Sequence, residues 1–182
     1  MQTWIALFRG INVGGNNALP MASLKRILES LKCVSVRTYI QSGNVVFQSS
    51  QTNTAAFVKK IRAAVGAEHG FEPHVLVLSR ADLQAADAAN PFADAIAEPK
   101  TLHFFFLQSL AASRNTVLLD QTKTNSEAYA FTDRVFYLHT PDGFGQSKLA
   151  KKAEKILGVT ATARNYRTVE KLLAMADADS SD

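Results

Sequence analysis

Residues 34–47, VSVRTYIQSGNVVF, are the stretch that decides the fold. From Val34 to Gln41 apolar and polar side chains alternate roughly, which is typical of a strand with one buried face. The Ser42-Gly43-Asn44 segment then supplies turn chemistry, and Val45-Val46-Phe47 returns as a second strand. The stretch therefore predicts a β-hairpin around which the neighbouring elements can be arranged.

A strand and a helix precede this hairpin, and a helix and a strand follow it. Trp4–Phe8 is a short apolar run that predicts a buried strand, and large apolar residues then recur at helical spacing over 24–31. After the hairpin, Asn53 is placed to cap a helix, and residues 74–78 form another apolar run. Ser79 with Asp82 then predicts a short capped helix to about residue 89. The order is βαββαβ followed by a helix.

The same order begins again after the Asn90-Pro91 break. Residues 102–107 predict a strand, and Ser109 is placed to cap a helix from Leu110 to Leu119. Residues 127–138 predict a second hairpin, with its turn at Thr132-Asp133. An amphipathic helix over 148–157, a short strand over 159–163 and a closing helix complete the pattern.

The two patterns together predict an α+β fold with two ferredoxin-like βαββαβ units in tandem. Each unit is expected to be an antiparallel sheet with helices on one face. We place the first unit at 1–90, the second at 91–176, and an acidic, flexible tail at 177–182. No residue-level repeat relates the halves, so the duplication is inferred from the order of elements alone.

Composition indicates an ordinary globular protein of the cytoplasm. The chain has 182 residues with 47% hydrophobic and 20% charged side chains, which is enough to bury a sizeable core. Cys33 is the one cysteine, so an internal disulfide and a cysteine-rich metal site are excluded. The apolar run at Trp4–Phe8 is too short for a membrane span and lacks the basic start of a signal peptide.

The net charge of +4 is unevenly distributed. Residues 1–80 carry six surplus positive charges, residues 81–133 four surplus negative charges, and residues 134–171 five surplus positive charges. Two basic stretches around an acidic one are compatible with a phosphate or polyanion partner. Alternatively, the acidic middle pairs with its basic neighbours within the fold.

The first candidate site is the loop over residues 9–17, between the first strand and the first helix. Glycines and asparagines adopt positive φ readily, so such a loop can point several backbone N–H groups at one anion. Arg9, Asn12, Gly14 and Gly15 are the residues that would bind it. The alternative is a long surface turn. The spacing matches neither a Walker A sequence nor the G-x-G-x-x-G pattern.

The second candidate is the glycine-containing loop over 140–149, which leads into a helix. Ser147 could cap that helix or contact a ligand, and Lys148 lies in its first turn. A lysine there has an unfavourable sign for the helix dipole, and a bound anion would remove the conflict. Lys151, Lys152 and Lys155 continue along the helix, either as a solvated face or as a polyanion contact.

The third candidate, residues 163–168, lies between the last strand and the last helix. Arg164 could bind a phosphate and Tyr166 could stack on a base, with Asn165 as a further polar contact. Asn165 or Thr168 could equally be the cap of the closing helix. The sequence leaves these two interpretations open.

Other chemistry has little support in the sequence. The four histidines show no metal-ligand spacing, Ser42 lacks the G-x-S-x-G context of a nucleophile, and nothing near Cys33 indicates an activated thiolate. We therefore expect no metal site and no cofactor, and no catalytic residue can be named.

The same segments resemble a known family. Residues 7–15 (LFRGINVGG), 36–47 (VRTYIQSGNVVF), 147–149 (SKL), 162–166 (TARNY) and 168–172 (TVEKL) are similar to motifs of the bacterial family called domain of unknown function 1697. The resemblance spans nearly the whole chain and implies an α+β fold with ferredoxin-like halves and no assigned activity. Family members often have arginine at the position of Gln146 and tryptophan at the position of Tyr166. The glutamine in this chain weakens a phosphate site beside Ser147, whereas the tyrosine keeps an aromatic ring.

Three hypotheses of function follow. The first is a binding module for a phosphorylated ligand, either a nucleotide or a single-stranded nucleic acid, on the scaffold that RNA-recognition domains also use. The second is an enzyme for a small anionic metabolite, bound in a cleft between the halves through Lys148 or Arg164. The third is an interaction protein that pairs through exposed sheet faces into a homodimer, without a ligand.

Overall fold

The computed structural model describes residues 1–178 and divides the chain into two compact units. The first comprises Met1–Gln84 and the chain from Lys171 onward, and the second comprises Ala85–Glu170. The last helix therefore begins in the second unit and ends in the first, which differs from the predicted boundaries of 1–90 and 91–176. Of the predicted tail, residues 177 and 178 end that helix, and residues 179–182 lie outside the described residues.

The first unit contains the predicted βαββαβ pattern and the start of a further helix. Its elements are β1 Gln2–Arg9, α1 Met21–Ser30, β2 Val34–Tyr39, β3 Asn44–Ser49, α2 Thr54–His69, β4 His74–Ser79 and α3 Arg80–Ala88. The sheet is antiparallel, in the order β2-β3-β1-β4. The prediction of a ferredoxin-like unit is confirmed here.

Alternate residues of β1 form the core beneath the helices of the first unit. Trp4, Ala6 and Phe8 point to the face where Phe57 and Ile61 of α2 are buried. Complete burial of one such large side chain stabilises the fold by about 2 kcal/mol. The other face of the sheet is buried as well, because Ile5, Leu7 and Val46 are each 0% exposed.

Two arginines hold the end of the last helix, α6 (Tyr166–Ala178), in the first unit. The guanidinium of Arg37 on β2 donates to the carbonyl of Met175, and Arg80 on α3 pairs with Asp177 at 2.9 Å. A positive charge near a helix C-terminus is favourable because it faces the negative end of the helix dipole.

The second unit repeats the architecture. Its elements are β5 Leu102–Leu107, α4 Thr116–Thr122, β6 Ala128–Phe131, β7 Val135–His139, α5 Lys148–Leu157 and β8 Ala161–Asn165, with the start of α6. Its antiparallel sheet has the order β6-β7-β5-β8, which is the order of the first sheet. The predicted fold class, two ferredoxin-like units in tandem, is confirmed by this matching topology.

One predicted helix was wrong. We expected a helix from Leu110 to Leu119 with Ser109 as its cap, but α4 begins at Thr116. The cap is Asn115, whose side chain accepts from Leu118 N at 3.0 Å, whereas the Ser109 hydroxyl lies near its neighbour's carbonyl. Residues 108–114 are mostly exposed and gain too little burial to stabilise an additional helical turn.

The other predicted helix caps are confirmed. Asn53 accepts from Ala56 N at 3.0 Å, and Ser147 accepts from Ala150 N at 2.9 Å. Ser79 and Asp82 form the reciprocal capping box, with bonds of 2.9 Å and 3.0 Å between each side chain and the other residue's N–H. No helix within residues 1–178 is long and apolar enough to cross a membrane.

Gly43 joins the hairpin turn of the first unit to β1. Its carbonyl accepts from Phe8 N at 2.8 Å, and its φ is +77°. A Cβ at this position would lie 2.6 Å from Phe8 Cβ and 2.6 Å from Ile11 Cδ1, closer than non-bonded carbons approach. The turn can therefore pack here only if residue 43 lacks a side chain.

We predict that Gly43→Ala destabilises the chain by about 3 kcal/mol or more, from the left-handed backbone and the steric overlap together. Gly15→Ala is the matched control, because Gly15 has nearly the same φ, +78°, but open space around its Cβ position. It should cost about 1–2 kcal/mol, the backbone term alone. Urea denaturation measures both values, and equal losses would contradict the packing role of Gly43.

Candidate functional site

The glycine-rich loop of the first unit folds into a small hairpin. Val13 and Asn16 form an antiparallel bridge, and Asn16 N donates to the Val13 carbonyl at 3.1 Å. Gly14 and Gly15 between them have φ of +60° and +78°, as a type I′ turn requires. Both glycines are exposed at the tip, and Arg9 lies before the loop at the end of β1, paired in register with His74.

Asn12 holds the base of this loop in place. Its Nδ2 donates to the carbonyls of Leu19 and Gln41 at 3.0 Å and 2.8 Å, and its Oδ1 accepts from Leu19 N at 2.8 Å. Each such bond contributes about 1 kcal/mol net. Both amide hydrogens are thus used within the fold, so Asn12 serves as a structural link between the loop and the hairpin turn.

Ser147 and Lys148 stand at the start of α5 in the second unit. Ser147 is 3% exposed and caps the helix through its hydroxyl, while the side chain of Lys148 is exposed. Ser147 therefore explains how the helix begins. Lys148 is the residue of this pair that solvent or a ligand can reach.

Arg164, Asn165 and Tyr166 all make contacts within the second unit. Asn165 Oδ1 accepts from Thr168 N at 3.0 Å, so Asn165 caps α6, one of the two interpretations that the sequence left open. Arg164 donates to the Ala163 carbonyl at 2.8 Å, and burial lowers the pKa of its guanidinium to about 10. Tyr166 is 7% exposed, with its ring 5.7 Å from that of Phe104. This ring therefore presents no open face to a base.

Asp87 is a member of this cluster that the sequence did not point to. Burial, followed by the charge and hydrogen bond of Asp87, raises the pKa of the Tyr166 hydroxyl to about 12. Tyr137, which packs edge-on to Phe104 at 4.8 Å, donates from its hydroxyl to the Ala86 carbonyl at 2.8 Å. Asp87 lies on α3, and no motif around it in the sequence indicates a contact with Tyr166, which follows 79 positions later.

The candidate residues fall into separate groups. Arg9, Asn12, Gly14 and Gly15 belong to the first unit, and the other five belong to the second. Within the second unit, Arg164 pairs in register with Phe104, and its neighbour Ala163 packs among the residues beneath α4 and α5. Because side chains alternate along a strand, Arg164 lies on the sheet face opposite α5. Lys148 and Arg164 therefore do not share a face.

The exposed basic cluster of the second unit lies along α5. We call Lys148, Lys151, Lys152 and Lys155 the lysine face; all four side chains are exposed. Their spacing of i, i+3, i+4 and i+7 places them on one side of the helix. The opposite side consists of Leu149, Ala153, Ile156 and Leu157, which are buried as the sequence predicts.

No acid among residues 1–178 pairs with this face. Within the described part of the chain, none of its lysines forms an ion pair, whereas Lys25, Arg26 and Arg62 of the first unit each pair with a glutamate. Glu154 lies on the same helix, but its Oε1 accepts from Ala161 N at 2.8 Å. The four positive charges therefore remain available to an anionic partner.

The part of the chain that the structure describes offers no evident site for metal or thiol chemistry. Among residues 1–178, no group of three or more histidine, cysteine, aspartate or glutamate side chains is placed to hold a metal ion. Cys33 is 3% exposed, and burial raises the pKa of its thiol to about 11, which keeps it protonated at neutral pH.

His103 is a buried titratable group in the second unit. It is 8% exposed, its ring stacks on Phe144 at 3.6 Å, and its Nδ1 is buried without a hydrogen-bond partner. Burial lowers its pKa to about 4, and a hydrogen bond with the Thr101 backbone has a smaller effect that raises the pKa. The imidazole is therefore neutral at physiological pH and acts as part of the core.

Comparison with known proteins identifies a family and a structural relative. The family model described as "Protein of unknown function (DUF1697)" matches residues 1–137. A conserved bacterial protein from Streptococcus pneumoniae has a similar structure, with a TM-score of 0.77 and 25% sequence identity. The similarity covers 96% of this chain and 98% of that one. No curated protein matches the sequence.

We predict that His103 makes the chain less stable in acid. Its pKa is about 4 in the folded chain and about 6.5 when unfolded, so the unfolded chain binds more protons between these values. The free energy of unfolding should therefore fall by about 3 kcal/mol as pH is lowered from 6.5 to 4. His103→Phe keeps a ring against Phe144 and should remove that part of the pH dependence. Urea denaturation at several pH values measures it, and an unchanged slope in the variant would contradict the assignment.

Proposed function

The chain belongs to the DUF1697 family of proteins of unknown function, and we propose that it is a binding module for a phosphorylated ligand, either a nucleotide or a single-stranded nucleic acid. The observation that carries the proposal is the lysine face, with four exposed lysines on one side of α5 and no ion pair among the described residues. Phosphates that contact such a face displace condensed counterions, which makes binding favourable at low salt.

The burial of the sheets supports contact through the helices. RNA-recognition domains stack bases on aromatic side chains of an open sheet face. Here Phe104, Phe106 and Tyr137 lie on the sheet face away from α5, and each is at most 2% exposed. A ligand would therefore meet the lysines and not these rings. The same burial gives no support to a homodimer formed through exposed sheet faces.

Lys148 has a particular role in the proposal. It occupies the first turn of α5, where the helix dipole is positive and a lysine is unfavourable. A phosphate bound beside it would interact favourably with both the ammonium group and the helix terminus. Arg9 with its glycine loop belongs to the first unit, and Arg164 with Tyr166 does not lie on this face of α5, so both stay separate predictions.

The proposal includes a cytoplasmic location. Nucleotides and RNA are abundant there, and Cys33 is a single buried thiol without a partner for a structural disulfide.

We predict that reversing two charges on the lysine face weakens binding of single-stranded RNA. For Lys151→Glu with Lys155→Glu, the affinity should fall about tenfold at low salt. The plot of log affinity against log salt should become less steep by about 1.4, since each lost phosphate contact removes about 0.7 from the magnitude of its slope. Fluorescence anisotropy with a labelled oligonucleotide at several salt concentrations measures both quantities.

The matched control is Lys59→Glu with Lys60→Glu. Both lysines are exposed on α2 of the first unit, and the double reversal changes the net charge by the same amount. The control should retain most of the affinity of the unaltered chain. Equal losses in both variants would show that only net charge matters, and an absence of binding by the unaltered chain would overturn the proposal.

A further inference from the structure

Helix α4 exposes apolar side chains that its own unit does not cover. Of its central residues, Leu119 is completely buried, but Val117 is 65% exposed and Leu118 is 41% exposed. A surface helix normally places such residues against the core and polar ones outward. Covering such side chains with an apolar part of a ligand would remove them from water, which is favourable.

A groove runs along this helix beside α5. It is lined by Asn115, Leu118, Thr122, Lys152, Lys155 and Ile156 and has a volume of about 390 Å³. Leu118 and Ile156 supply the apolar part of the lining, and Lys152 and Lys155 supply the charge. The volume lies in the range of small-molecule sites, about 300–1,000 Å³.

The groove presents mainly positive charge to a ligand, because hydrogen bonds within the protein already use other polar atoms of its lining. The Thr122 hydroxyl donates to the Leu118 carbonyl at 2.7 Å, and Asn115 Oδ1 accepts from Leu118 N at 3.0 Å. The Thr122 hydroxyl and the Asn115 amide oxygen are thus engaged within α4. None of the described residues that line the groove is acidic, so the lysine ammonium groups are not neutralised there.

We propose that this groove binds an amphiphilic anion, a small molecule with an acyl or aromatic body and one carboxylate, sulfate or phosphate group. The body covers Leu118 and Ile156, and the anionic group lies between the ammonium groups of Lys152 and Lys155. Both halves of the ligand match the lining, apolar against apolar and negative against positive. The site goes beyond the proposed function, since Leu118 and Ile156 have no role in holding a polyphosphate backbone.

The test uses two fluorescent probes of similar shape and different charge. 8-Anilinonaphthalene-1-sulfonate carries an aromatic body and a sulfonate, and N-phenyl-1-naphthylamine is its neutral counterpart. The full-length folded chain should bind the sulfonate about tenfold more tightly than the neutral probe. Lys155→Met keeps the apolar stem of the side chain and removes the charge. It should weaken sulfonate binding about fivefold and leave the affinity for the neutral probe unchanged.

Leu118→Gln should weaken binding of both probes about fivefold, because it removes apolar lining from a partly exposed position that contributes little to folding. Leu110→Gln is the matched control, since Leu110 is 60% exposed and lies outside the groove. It should leave both affinities unchanged. Circular dichroism and urea denaturation confirm that each variant is folded, because the sulfonate probe also binds partly unfolded chains.

Two results would overturn the inference: no saturable binding of the sulfonate by the folded chain, or equal effects of Leu118→Gln and Leu110→Gln. The RNA titration separates this site from the proposed function. Lys151 does not line the groove, so Lys151→Glu should weaken RNA binding and leave sulfonate binding nearly unchanged. Leu118→Gln should do the reverse.

Discussion

In each unit the first strand lies inside its sheet, hydrogen-bonded to a neighbour on either side and buried on both faces. Ile5 and Leu7 of β1 are 0% exposed, and so are Ala6 and Phe8, which point the other way. In β5 all six residues are buried. This double burial places the central apolar surface out of reach of a ligand. What remains accessible among the described residues is the outer side of the helices, the loops and the edge strands β2 and β6, and the chemistry of the protein has to be sought there.

The motifs that carry the family resemblance are explained largely by packing. The glycine-rich loop and the QSGN turn meet in space, because Asn12 donates to the Gln41 carbonyl and Gly43 lies against Phe8 and Ile11. Ile40, which precedes this turn, has a φ of +49°, a strained value for a β-branched residue. The segment thus holds β1 and the QSGN turn together within the first unit. In the second unit the exposed charge lies on α5, which begins at Lys148 of the SKL motif.

Elements with strong local patterns could be predicted from the sequence. Ser147 is a residue type that favours the cap position, and apolar residues recur at helical spacing along α5. The observed helix has the predicted bounds, Lys148–Leu157. The start of α4 was missed because Ser109 and Asn115 are both good caps, and the choice depends on which residues gain burial. Burial on the second face of a sheet also escapes local analysis. The sequence did not reveal the surroundings of Tyr166, because Phe104 and Asp87, which contact it, are distant in sequence.

We propose that a phosphorylated partner contacts the lysine face of α5. The most direct measurement is a titration of isotope-labelled protein with single-stranded RNA, followed by amide chemical shifts in NMR spectra. If the partner binds there, the shift changes are concentrated over residues 147–157 and fade as salt is raised, with little change along α2 despite its exposed lysines. Shifts confined to the first unit, or spread evenly over all basic residues, would contradict it.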